Sequence, residues 1–176
     1  MQRCVRIGAV AFFGRMFVAE LASMQARLSH PEPAAVASAQ VVALIVHEAI
    51  YSGTLASDIP PEVTDQKMLT AWTSAHADMQ RTGRLPQRLL DVDMAGWNTV
   101  AAAHAIALLY VDEPTLALGL AAASGADTDT VASIVGGMLG ALHGPNAFPK
   151  RWIEELQGRD LIERAAQSLF VRVQAF

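Results

Sequence analysis

The residues best suited to chemistry stand together at Gly125-Ala126-Asp127-Thr128-Asp129-Thr130. Two carboxylates lie two positions apart, with hydroxyls between and after them, where an apolar helical period begins. Hard divalent cations take oxygen ligands, and magnesium favours octahedral geometry with several waters retained. A carboxylate can bridge two such ions roughly 4 Å apart and clamp a substrate oxygen between them. Asp127, Asp129 and Thr130 offer suitable oxygens on one short turn, and Gly125 permits a tight entry into the helix. The same residue types also cap helices, because their side-chain oxygens accept first-turn amides. On these six residues alone, capping outweighs metal binding. An EF-hand calcium loop fits poorly, since Val131 and Ala132 follow where that loop needs another oxygen ligand and a glycine.

The element that must position this turn is unusual. Ala132, Gly136, Gly140 and Gly144 fall four apart, with Gly137 and Ala141 beside them. Glycine costs about 1 kcal/mol relative to alanine inside a helix. The expected reason for accepting that cost is close approach of another helix backbone along a buried small-residue seam. Val131, Ile134, Val135, Met138, Leu139 and Leu142 form the apolar face of the same helix, and His143-Gly144-Pro145 stops it.

Helical spacing runs through nearly all of the chain. Phe13, Phe17, Leu21, Met24 and Leu28 mark one helix, and Val36, Ala39, Val42, Ala43, Val46 and Ile50 mark the next. His30-Pro31-Glu32-Pro33 separates them, and Gly53 is the expected C-cap of the second. A third helix is expected from Pro60-Pro61-Glu62 to Arg81, broken by Thr82-Gly83-Arg84-Leu85-Pro86. Residues Leu89 to Gly96 read as loop and Asn98 to Val111 as an alanine-rich helix. Asp112 is the expected cap of the following helix, with Glu113 and Pro114 in its first turn. A short helix around Trp152 and a last one from Asp160 to about Val173 complete the pattern. No alternating strand pattern, repeat or low-complexity linker is visible. The expectation is a single all-α domain over residues 1–176.

Composition narrows the partners. The chain has 176 residues, 52% of them hydrophobic and 17% charged, so it can bury a core and is not expected to be disordered. Its net charge of −4 and lack of a basic stripe argue against nucleic acid. Cys4 is the only cysteine and has no activating signature, which suits a reducing, cytoplasmic setting. Arg3, Arg6 and the run Ile7 to Phe13 loosely imitate a signal peptide, but Arg15 follows and no cleavage pattern does, so secretion is not expected. The most apolar stretch, Val41 to Val46, is too short to span a bilayer, and no membrane is expected as a partner.

Residues 125–144 resemble the C-terminal metal-binding helix of the ADP-ribosylglycohydrolases. That family writes this helix as G-G-D-T-D-T followed by a glycine- and alanine-rich run. Ala126 replaces the second glycine. Pro149-Lys150-Arg151-Trp152 and Leu156-Gln157-Gly158-Arg159-Asp160 are similar to the family's ending. Gly96-Trp97, Leu28-Ser29-His30-Pro31-Glu32-Pro33 and Val5-Arg6-Ile7-Gly8-Ala9-Val10 are similar to upstream segments, so the resemblance covers nearly the whole chain.

The resemblance implies an orthogonal multi-helix bundle that hydrolyses the glycosidic bond between ADP-ribose and a protein side chain or small acceptor. It implies two Mg2+ ions holding the ribose hydroxyls and a water near the anomeric carbon. Asp127, Asp129 and Thr130 are the implied metal ligands, with Asp129 the bridge between ions and both carboxylates counted as catalytic. His30, Gly96 and Trp97 are the implied substrate-binding residues. Each has a plainer reading: His30 as a helix-flanking histidine bonded to backbone, and Trp97 as a packed aromatic. His47 and His104 read as satisfied core histidines, and Asp91-Val92-Asp93 as a solvated loop. In the family an N-terminal T-D-D motif gives further ligands, and a glycine-rich loop holds the diphosphate. No T-D-D occurs here; Thr64-Asp65 is followed by Gln66. The expectation is a chain without the family's N-terminal half, a fragment or a split product that pairs with a separate N-terminal half. The alternative is a non-catalytic helical module that binds metal or ADP-ribose, or serves as a partner subunit.

Overall fold

The computed structural model describes residues 14–82, 95–125 and 127–174, and the side chains of these up to 171. Every regular element among them is helical, as expected. The helices are α1 (Arg15–Arg27), α2 (Pro33–Ser52), α3 (Gln66–Thr82), α4 (Gly96–Leu109), α5 (Pro114–Ala122), α6 (Thr128–His143), α7 (Lys150–Glu154) and α8 (Arg159–Gln174), with a 3-10 turn at Pro145–Ala147. Cys4, the apolar run 7–13, the breaker at 83–86 and Asp91-Val92-Asp93 lie outside the described residues.

Two helices make the centre. In α4 every residue from Thr99 to Ala107 is buried, and in α2 the run Val41 to His47 is buried without interruption. A helix that is apolar all round belongs inside, and these two pack on each other. α2 is 20 residues long, and by length and mean hydropathy (1.6) it could cross a membrane, but 72% of that window is buried within the fold. The stretch Val41 to Val46 is therefore part of a longer apolar helix than its six residues suggest. α1 and α3 cover α2 and α4, and α6 packs against α2, α4 and α5. The buried apolar residues form one cluster that draws on α1 through α6.

Several boundaries differ from the sequence expectation, for local reasons. α3 starts at Gln66, not near Pro60. Pro60 and Pro61 instead enter a turn closed by the Val63 amide donating to the Pro60 carbonyl at 3.0 Å. Asp65 then caps α3, its Oδ1 accepting from the Met68 amide at 3.0 Å. α4 starts at Gly96, so Gly96-Trp97 lies in its first turn, and it ends at Leu109. Glu113, not Asp112, holds the N-cap position of α5, and Pro114 follows at the first helical position, where its missing donor costs nothing. Gly53 is the left-handed C-cap of α2, as expected.

The connection between α2 and α3 is tied down by charge. Arg15 donates to Glu62 Oε1 at 2.9 Å and Oε2 at 3.2 Å, and also pairs with Glu48. The hydrogen bond from Arg15 holds the Glu62 carboxyl below its ordinary range, and Glu62 in turn raises Arg15. Both partners are partly solvated, so the contribution to stability is modest.

The small-residue seam of α6 is not what its spacing suggests. The fully buried face is Val131, Ile134, Val135, Met138 and Leu139, while Ala132, Gly136 and Gly140 are half-buried. A Cβ at Gly136 would lie 3.5 Å from Leu118 Cδ1, and one at Gly140 would lie 3.6 Å from Phe148 Cε2. Both are ordinary contacts with side chains, so no helix backbone occupies the space beside these two glycines. Gly136→Ala and Gly140→Ala are therefore expected to stabilise the fold by about 0.5–1 kcal/mol each, through helix propensity. Thermal melting checks this. A fall in the midpoint for either variant would restore the close-approach explanation.

Candidate metal-binding turn

The acidic turn sits at the start of α6. Ser124 is buried at the end of the preceding turn, and Gly125 has φ 105°, a conformation that L side chains rarely adopt. Asp127 holds the N-cap position of α6 with φ −105° and ψ 60°. The Asp127 carbonyl accepts the Val131 amide at 3.0 Å, the first bond of the helix. The Asp127 carboxylate makes no capping hydrogen bond to the first turn. Asp127 is thus placed like a cap and does not act as one. Asp127 and Thr130 are half-buried, and Asp129 is exposed in the first turn, where the helix dipole favours an anion.

Hard oxygen donors free of backbone commitments suit magnesium. A further oxygen lies close in sequence: the buried Ser124 hydroxyl has no hydrogen-bond partner among the described residues. The donor set is all oxygen, which is the chemistry of a Mg2+ site rather than of zinc. Among the described residues no third His, Cys, Asp or Glu joins Asp127 and Asp129 in a cluster. Asp127, Asp129 and Thr130 would fit part of a magnesium shell and do not complete one among the described residues.

Packing fixes where this turn points. The face of α6 that carries Val131, Ile134, Val135, Met138 and Leu139 is sealed within the core. At the far end of α6, His143 Nε2 donates to the Val111 carbonyl at 2.7 Å, which ties α6 to the α4–α5 connection. The helix is thus held along its buried face and at its C-terminal end.

The expected substrate residues fall in a second group. His30 is exposed, and its Nδ1 lies 2.9 Å from the Ser29 hydroxyl, so its ring is bonded to a side chain and not to backbone. Beside that turn, a cleft of about 370 Å³ is lined by Arg27, Pro31, Pro33, Gln40, Glu62 and Asp65, among others, with His30 outside its lining. Gly96 and Trp97 are half-buried, and Trp97 packs partly against the core, as the plainer reading of an aromatic has it. Lys67 links the two places. Its Nζ lies 2.6 Å from Glu32 Oε1, in the turn that carries His30, and 4.7 Å from the centroid of the Trp97 ring. The hydrogen bond to Glu32 raises the Lys67 pKa. Sequence reading did not single out Lys67. Its position in the first turn of α3 becomes informative only once that helix is known to start at Gln66.

The core histidines divide. His104 is satisfied at both ring nitrogens. His47 is buried as expected but its Nδ1 has no partner among the described residues, and burial, then the Arg15 charge, lowers its pKa. It stacks on Tyr51 at a centroid distance of 6.0 Å.

Comparison with curated proteins and with solved structures gives no match. Comparison with family models gives one that spans residues 2–175. The matching family is ADP-ribosylglycohydrolase, and the chain belongs to it.

Proposed function

We propose that this chain contributes the C-terminal acidic turn of a magnesium-dependent ADP-ribosylglycohydrolase, with Asp127, Asp129 and Thr130 as metal ligands. The observation that carries the reading is the Asp127 carboxylate, which stands at the start of α6 and makes no capping bond. Bound magnesium would act as a Lewis acid that polarises and orients sugar oxygens at the scissile glycosidic bond. The chain's own share is to present anionic oxygens in a fixed direction. The sealed face of α6 performs that task. Asp129, exposed on the first turn, is the better placed carboxylate to reach a second ion.

On the substrate side, His30, Gly96 and Trp97 are proposed to meet ADP-ribose, with Lys67 holding the His30 turn near the Trp97 ring. The substrate class is an ADP-ribosylated protein side chain or a small ADP-ribosyl acceptor, and the setting is cytoplasmic. Further anionic ligands are proposed to come from a separate N-terminal half that carries the family's T-D-D motif. Exposed apolar side chains on α1 and its C-cap (Met16, Met24, Leu28) and on α8 (Leu161, Ile162, Phe170) support contact with additional protein.

The test is release of ADP-ribose from ADP-ribosyl-arginine and ADP-ribosyl-serine peptides, with and without magnesium. It is run on the chain alone and on the chain with an N-terminal half that carries T-D-D. Magnesium-dependent release by the combined protein supports the reading. Release that ignores magnesium, or no release from either peptide by the combined protein, overturns it.

A further inference from the structure

His76 on α3 and His104 on α4 meet in the core, both buried. His76 Nε2 lies 2.8 Å from His104 Nδ1. The outer nitrogen of each ring is also engaged: His76 Nδ1 lies 2.8 Å from the Trp72 carbonyl oxygen, and His104 Nε2 lies 2.8 Å from the Ala56 carbonyl oxygen. A carbonyl oxygen only accepts, so both outer nitrogens must carry hydrogen. A neutral imidazole has one N–H. Two neutral rings would then spend both their hydrogens on the carbonyls and face each other lone pair to lone pair at 2.8 Å. Turning either ring over would put carbon at both of its contacts. The three bonds together need three hydrogens on four nitrogens, one more than two neutral rings possess.

Burial works against that extra positive charge, and the groups in contact with the two rings work for it. Trp72 stacks on both imidazoles, with centroid distances of 4.3 Å to each, and presents the negative face of its ring to them. Two carbonyl dipoles point at the pair. Burial pushes the His76 pKa down, and the Trp72 carbonyl and then Asp58, on the same connection as Ala56, act against that fall. Among the described residues no other charged side chain acts on either ring from α2, α5 or α6, the elements packed around α3 and α4.

We propose that His76 and His104 share a single proton and form a buried, positively charged clasp. The clasp holds Ala56, and with it the connection between α2 and α3, against the two helices. Loss of that proton leaves one of the three bonds without hydrogen. Gain of a second proton puts two N–H groups face to face. The clasp therefore weakens in both directions of pH, and the connection it holds runs on to Asp65 and Lys67.

The direction of each limb follows from linkage. Burial, and then the neighbouring His76, bring His104 down to about 3, so the folded pair resists taking up a proton on each ring. The unfolded chain takes up two protons around the ordinary imidazole value of about 6.5. Below that value the unfolded state binds more protons than the folded pair, so stability falls as pH falls. Above it the folded pair keeps its one proton after the unfolded chain has lost both, so stability falls again as pH rises. The contribution peaks near the ordinary imidazole value.

The test is nitrogen-15 NMR of the imidazoles in the intact chain, with thermal midpoints measured across pH. The expected spectrum at neutral pH shows three ring N–H groups for the two residues, and loss of the shared proton at least about one pH unit above 6.5. Two ring N–H groups, with both rings neutral at neutral pH, would overturn the proposal. His76→Gln gives a neutral amide that can donate to His104 Nδ1. It is expected to remove the alkaline fall in the thermal midpoint, and an unchanged alkaline limb counts against the clasp. Should that variant not fold, the spectrum of the unaltered chain decides.

Discussion

Asp129→Ala is expected to lower magnesium-dependent release of ADP-ribose by about 100-fold or more in the completed protein, since metal charge stabilisation is worth several kcal/mol and each 1.4 kcal/mol is about tenfold in rate. The substitution removes an anionic ligand from the turn, and water restores the coordination number without restoring the charge. Asp129 is exposed, so its loss should leave the fold intact. An Asp129→Asn variant keeps the shape and an oxygen while losing the charge, and is expected to fall between the two. Steady-state assays over a magnesium titration check this. Activity and magnesium dependence unchanged in Asp129→Ala would remove Asp129 from the site.

Leu139→Ala is expected to cost about 2–5 kcal/mol of stability, the range for a buried leucine that leaves a cavity behind. Leu139 is fully buried on the face of α6 that packs among α2, α4 and α5. At this chain length the thermal midpoint should drop by about 2–4 °C per kcal/mol. The effect should extend to the site, because the acidic turn is the N-terminal end of the same helix. A urea titration with an unchanged slope and a lower midpoint would match the cavity explanation. A change of less than about 1 kcal/mol would mean that this face can collapse around the gap, and that α6 is less firmly seated than its burial indicates.

What was legible in the sequence had local causes. Prolines, Gly53 and the three- and four-residue apolar spacing gave α1, α2, α6 and α8 to within a few residues. The acidic turn was visible as well, because its carboxylates and hydroxyls sit on consecutive positions. The start of α3 was misplaced because Pro60-Pro61-Glu62 has the composition of a helix entrance, while the cap that operates is Asp65, five residues later. The glycines of α6 suggested a helix backbone alongside; Leu118 and Phe148 stand there instead, from segments whose placement no local pattern reveals. Lys67 against Trp97, and His76 against His104, are contacts across about 30 residues of chain, of the kind tertiary packing decides. His104 was recognised as a core histidine, but nothing in its neighbours along the chain announces a partner on α3.

The acidic turn as a magnesium site is tested most directly by titrating the intact chain with Mn2+, which shares magnesium's preference for oxygen ligands, and following amide signals by NMR. The account predicts paramagnetic broadening centred on Asp127 to Thr130, competed away by Mg2+ and lost in Asp129→Ala. Broadening centred elsewhere in the chain, or broadening at this turn that persists in Asp129→Ala, would contradict it.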